Sequence, residues 1–173
     1  MNIAFLIDRH LEKWLEIGAN SHPGVVPLDM TISKNDEGWT QWKPVPSTVT
    51  DEQLNDIQNT IGVTFPKQFV TLLKHRHFIE LQIGEISFAS HPSDFWRLSL
   101  SNMAFDTWPK EWLIDKGYMP FATYSDWGMW CFGINQLSPN GECPVYQWDH
   151  EIHDKFNLVG QDLLSSLILE ISK

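Results

Sequence analysis

The stretch from Trp42 to Pro66 leaves the chain little conformational choice. Thr50 can accept the backbone N–H of Gln53 on its hydroxyl while the Gln53 side chain reaches back to the Thr50 N–H, a capping box that starts a helix. Leu54, Ile57 and Ile61 recur at helical spacing and predict one buried stripe. Gly62 supplies a left-handed stop, Val63 and Phe65 anchor the link, and Pro66 suits the first turn of a further helix carrying Phe69, Val70, Leu72 and Leu73. A tight helix–turn–helix hairpin is expected, and everything else must pack around it.

On the N-terminal side, residues 3–17 predict a helix with Ile3, Leu6, Ile7, Leu11 and Trp14 on its apolar face. The Gly-, Asn-, Ser- and Pro-rich residues 18–27 end it, and a loop is expected to follow. On the C-terminal side, Leu81 and Ile83 alternate with polar neighbours and Ile86 and Phe88 resume after Gly84, which predicts a strand with a bulge or a hairpin turn. Residues 119–123, 129–134 and 144–148 are strand candidates, the last preceded by the turn signal Ser138, Pro139, Asn140, Gly141. Residues 161–172 predict a closing helix with Leu163, Leu164, Leu167, Ile168 and Ile171 on one face. Helices at both ends of a mostly antiparallel sheet make an α+β fold.

At 173 residues and 42% hydrophobic content, the chain can bury one sizeable core, and two domains of ordinary size do not fit comfortably. One domain over 1–173 is expected, with 1–41 a helix-and-loop extension and 42–173 the motif-bearing core. Asp8, Arg9, His10 and Glu12 interrupt the first apolar stretch, so it does not read as a signal peptide, and no run is apolar enough to span a bilayer. The expected compartment is the cytoplasm. There, Cys131 and Cys143 read as reduced packing residues, although they flank one turn and a cross-strand bridge is the competing reading. A formal net charge of −10, from 22 acidic and 12 basic residues, argues against a nucleic-acid surface and suits either plain solubility or a basic partner. Beyond Pro120, seven acids face two lysines, so half of the net charge lies in the last third.

The densest set of chemically capable side chains is Asp149, His150, Glu151, His153 and Asp154, which in principle suits zinc or proton sharing. The two histidines are three residues apart, whereas the helical metalloprotease pattern needs four with Glu after the first. The segment follows a strand and starts a loop, so structure or partner binding is preferred and no metal or cofactor is expected. His75, Arg76 and His77 fall at the end of a predicted helix, where cations suit the dipole. Gly-rich phosphate loops, nucleophile elbows, CxxC pairs and dinucleotide fingerprints do not occur.

Two groups of residues carry a family likeness. The first is Trp42, Lys43, Pro44, then Thr50 to Leu54, then Ile61, Gly62, Val63, Thr64, Phe65, Pro66; the second is Pro120, Phe121, Ala122, then Cys131, Phe132, Gly133, then Pro144 to Glu151. Together they resemble the SUKH superfamily, which includes the SMI/KNR family of fungal cell-wall regulators. The likeness runs from about residue 42 to residue 171; the His75 to Phe78 stretch departs from it, since the family more often has a Gly-rich turn there. In bacteria the superfamily is best represented by immunity proteins that neutralise polymorphic toxins. The resemblance thus implies a non-enzymatic immunity protein whose partner is a cognate toxin domain, a nuclease being one possibility, while the charge and the lack of a long apolar run give nucleic acid and membrane no role. It also implies a rival, a regulatory scaffold binding a signalling partner. The residues leave a further rival, a small metal-dependent hydrolase using His150, Glu151 and His153.

Nine tryptophans are many for this length, and each is either core or contact residue. Trp42, Trp96 and Trp148 are expected to anchor packing. Trp108, Trp112, Trp127 and Trp130 read as loop-like or edge-like beside Asp106, Asp115 and Asp126. Aromatic anchors within an acidic rim suit an interface to a basic protein. The expected partner-binding residues are Trp108, Asp126, Trp127, Asp149, Glu151 and Asp154.

Overall fold

Asn2 caps the first helix by accepting the Phe5 N–H at 2.9 Å. In the computed structural model, which describes residues 2–126 and 128–173, this helix, α1 (Ile3–Glu16), buries Ile3, Leu6, Ile7 and Leu11. The loop expected after it is instead a small antiparallel sheet of β1 (Ser21–His22), β2 (Thr31–Lys34) and β3 (Thr40–Trp42), ordered β1-β3-β2. These strands are two to four residues long and β2 is mostly exposed, so they carry no apolar period to read. The Asn20 side-chain N–H donates to the Trp42 carbonyl at 2.5 Å, tying the residue ahead of β1 to the end of β3, where the Trp42 ring is buried.

After β4 (Val45–Pro46), the helix hairpin forms as its residues dictate. The capping box closes with both bonds at 3.2 Å and starts α2 (Asp51–Ile61). Gly62 stops it at φ 81°, ψ 27°, a region costly for any residue with a Cβ. Pro66 sits one position ahead of α3 (Lys67–His75), as its N-cap and not in its first turn. α3 runs straight into β5 (Arg76–His77), which pairs with β4, so Arg76 and His77 belong to a strand and not to a helix terminus.

The main sheet is antiparallel throughout. Its strands are β6 (Gln82–Ile83), β7 (Ile86–Phe88), β8 (Tyr118–Tyr124), β9 (Gly128–Gly133), β10 (Val145–Asp149) and β11 (Phe156–Gly160), in the order β11-β10-β9-β8-β7-β6. Of the two expectations for residues 80–88, the hairpin is realised. Between β7 and β8 lies α4 (Trp96–Phe105), and α5 (Leu163–Ile171) closes the described chain under a capping box from Asp162 and Ser165.

Alternation along β9 gives this α+β fold two buried layers. Trp130 and Phe132 point toward the helices, where they join Phe69, Phe121 and Leu167 in the main core. Met129 and Cys131 point the other way and join Leu113 and Trp148 under a cover of Trp108 and Trp112. Trp130, read as edge-like, is wholly buried because β9 is covered on both faces. The same division separates the cysteines: Cys143 lies in the helix-side layer and Cys131 in the other, and both are free. Burial raises both thiols, that of Cys143 to about 11. No described helix is long and apolar enough to cross a membrane.

Candidate functional site

Three turns meet at one end of the main sheet because its strands alternate in direction. They are the β6–β7 turn with Gly84 and Glu85, the β8–β9 turn with Ser125 and Asp126, and the β10–β11 connection from Asp149 to Lys155. The Ser125 N–H donates to the Glu85 carbonyl at 3.0 Å, which joins the first two. Asp149 pairs in register with Gly128, which joins the second to the third. Gly128, at φ 147°, lets the strands close: a Cβ there would overlap the Trp148 carbonyl oxygen. This end therefore presents Glu85, Asp126, Glu151 and Asp154 exposed, with Asp149 half-buried.

The β10–β11 connection is held against an aromatic cluster. Two short 3-10 turns, Lys110–Trp112 and Ile114–Lys116, are anchored by buried Leu113 and lay Trp108 and Trp112 over Trp148. Trp108 meets Trp148 edge-on at 5.1 Å and stacks on His150 at 5.3 Å. Trp112 stacks on His153 at 3.8 Å, and the Trp148 indole N–H donates to the His153 carbonyl at 2.9 Å. The Asp149 carboxylate accepts the Glu151 N–H at 2.9 Å and tightens the turn. Asp154 pairs with Lys116, whose ammonium holds that carboxyl below its ordinary range.

The expected contact residues thus fall into distinct settings. Asp126, Asp149, Glu151 and Asp154 share the sheet end, but Asp154 is partly neutralised by Lys116, a residue 38 positions away that no local pattern links to it. Trp108 is half-buried and packs inward on Trp148 while keeping an outer edge. Trp127 lies outside the described residues. Glu85 shares this end without being among the expected contact residues, although the Ile83-Gly84-Glu85-Ile86 pattern marks a hairpin tip.

The metal reading has little geometry behind it. His150 and His153 lie flat on two different indoles instead of converging, and among the described residues no three His, Cys, Asp or Glu side chains gather to hold an ion. The other histidine cluster also splits. Asp8 accepts from Arg76 Nε at 2.9 Å and lies equally close to His75 Nε2 but outside hydrogen-bond geometry. Against the opposing effect of burial, those two groups keep the Asp8 carboxyl low.

His77 turns inward to an unanticipated partner. Its Nε2 accepts the Thr48 N–H at 3.0 Å, so its proton sits on Nδ1, which lies 2.8 Å from Nδ1 of His91. His91 stacks on Trp96 at 5.3 Å, and its Nε2 is buried without a hydrogen-bond partner among the described residues. Burial lowers both imidazole pKa values, and His77 adds to the effect on His91, bringing it to about 3. At 0% and 2% exposed, the two imidazoles pack into the interior.

A family model described as SUKH_5, SMI1-KNR4 cell-wall, matches residues 28–163. No curated protein matches the chain.

Proposed function

The chain belongs to the SUKH superfamily, within the SMI1-KNR4 cell-wall family, and from that premise we propose that it is a non-catalytic immunity protein that binds and sterically neutralises a cognate bacterial polymorphic toxin. The observation that carries this reading is the sheet end, where five carboxylates come from three turns and the turn carrying Asp149, Glu151 and Asp154 is held against half-buried Trp108 and Trp112 through His150 and His153. Aromatic edges supply desolvated anchor area, and the surrounding acids supply complementarity to a cationic surface. Should the toxin be a nuclease, its basic substrate groove would fit this rim, and inhibition would come from occlusion. The proposed contact residues are Trp108, Asp126, Trp127, Asp149, Glu151 and Asp154, working in the cytoplasm where such a toxin acts.

The test is co-purification with the product of the neighbouring gene, followed by association kinetics. Steered association exceeds unsteered by roughly 10- to 1,000-fold and fades with salt, so the on-rate should fall steeply as ionic strength rises. Combining Asp126→Lys, Asp149→Lys, Glu151→Lys and Asp154→Lys should leave the chain folded, slow association and remove the salt dependence. If capture proved insensitive to salt, or the reversed variant protected cells equally well, the electrostatic mechanism would be wrong.

A further inference from the structure

The two edges of the main sheet are finished differently. β6 is two residues long, and its turn is sealed by Glu170 of α5, whose buried carboxylate accepts the Glu85 N–H at 3.2 Å. β11 is five residues long and, among the described residues, pairs on one side only, with β10. The direction of its free groups follows from register. The Gly133 N–H donates to the Pro144 carbonyl at 2.9 Å, so Pro144, Tyr146 and Trp148 bond toward β9 while Val145 and Gln147 bond toward β11. Gln147 faces Asn157, which leaves the N–H and C=O of Phe156 and Leu158 directed outward. Among the described residues, no hydrogen bond outside the β10 ladder reaches residues 156–160. Soluble proteins usually blunt such an edge with Lys, Pro or an inward charge. β11 has none of these, only a register shift near Val159.

Side chains reinforce the backbone. Phe156 stacks on Tyr118 at 3.7 Å, Tyr118 meets Tyr146 edge-on at 5.2 Å, and Leu158, opposite Tyr146, is 53% exposed at the end of this row. An incoming strand would find unpaired backbone groups and an apolar shelf together.

We infer that β11 is a docking edge for an extended, basic segment of a partner protein, which adds a seventh strand through the outward backbone of Phe156 and Leu158 and sets its cations against the acidic β10–β11 connection. This deepens the proposed function and rests on its reading of the chain as a binder of a basic protein. The occupant is chosen by charge. Asp149, Glu151, Asp154 and Asp162 flank the edge against Lys116 and Lys155, on a chain of net charge −10. A second copy fits poorly, because antiparallel self-pairing centred on Leu158 would put Asp154 of each copy opposite Asp162 of the other.

The probe is a capped peptide of about seven residues alternating Val and Lys, with a Val–Glu peptide as control, read by amide hydrogen exchange of the full chain. In the free protein, Phe156 and Leu158 should exchange fast and Asn157 slowly. Saturating Val–Lys peptide should slow exchange at Phe156 and Leu158 by about tenfold or more, and the Val–Glu peptide should not. Leu158→Pro, which removes one outward N–H, should abolish the protection. Leu158→Lys, which keeps the backbone but places a cation on the edge, should weaken it even if the proline variant folds poorly. No protection at these two amides with millimolar Val–Lys peptide, equal protection by the Val–Glu peptide, or undiminished protection in Leu158→Lys would overturn the inference. Leu158→Lys binding the neighbouring gene product as tightly as the unaltered chain would sink the edge alone. Peptide pairing at β11 without any capture of that product would sink the immunity reading and leave the edge standing.

Discussion

On the helix-packed face of the main sheet, Phe121 lies 4.1 Å from Phe132, and both meet Phe69 within a wholly buried layer. On the opposite face, Trp148 is equally buried, yet what covers it is half-exposed: two indoles, two imidazoles stacked on them, and an ion pair at the rim. The first face is closed by regular helices and gains its stability from apolar area and close packing. The second is closed by irregular chain, where indoles bring area and polar tips that remain reachable. A fold can afford that second arrangement where the first already supplies most of the stability, and the contact surface proposed above adjoins the second face at the turn-bearing end of the sheet.

Phe121→Ala should test the division most severely. It removes a ring that Phe69, Phe88 and Phe132 all pack against, in a layer with no solvent-facing side into which it can relax. The expected loss is about 3–5 kcal/mol, read by urea unfolding. A loss under about 1 kcal/mol would mean that the helix-packed layer is not the stabilising one.

Acid should separate the faces next. His77 and His91 lie on the helix side, 0% and 2% exposed, with pKa values lowered from the ordinary 6.5, that of His91 to about 3. The unfolded chain takes up protons that the folded chain refuses, so stability is full above about pH 6.5 and is lost as pH falls through the window toward 3. At pH 5, His91 alone should account for a loss of about 2 kcal/mol. His91→Gln cannot take the proton and should reduce the slope of stability against pH in that range. An unchanged slope would move the acid sensitivity to other groups.

How much of this was legible depends on the distance over which each feature is decided. The capping box at Thr50, the stop at Gly62 and the stripe of α2 are decided within a dozen residues, and their side chains announce them. The strands β8 and β9 were legible because buried aromatics and flanking turns mark them. By contrast, α4 buries only Trp96, Leu100 and Ala104 and has no side-chain cap, and β11 shows no clean alternation, so neither has a strong local signal. The site followed the same rule. Asp149 and Glu151 lie two positions apart in sequence, but that they share one sheet end with Asp126 and Glu85 follows only from strand order. The pairing of Lys116 with Asp154 and of His77 with His91 is likewise set by topology, which composition and spacing do not encode.

Trp112→Ala should show the smallest loss of the three and the most local one. The ring is half-buried and contributes a stack on His153, a tilted contact with Trp148 and part of the cover over Leu113. Losing that partial burial and the ring contacts with Trp108, Trp148 and His153 should cost about 1–2 kcal/mol, below the Phe121→Ala effect. The Trp148 indole bond to the His153 carbonyl survives the substitution, so the β10–β11 connection should remain in place while loosening. Amide exchange should therefore quicken across residues 149–155 and stay unchanged at Trp130 and Phe132 on β9, since local opening draws on the nearest packing and not on the global unfolding free energy. Equal acceleration at both places would mean that the second face is as much a part of the cooperative core as the first, and the contrast between a stabilising face and a presenting face would collapse.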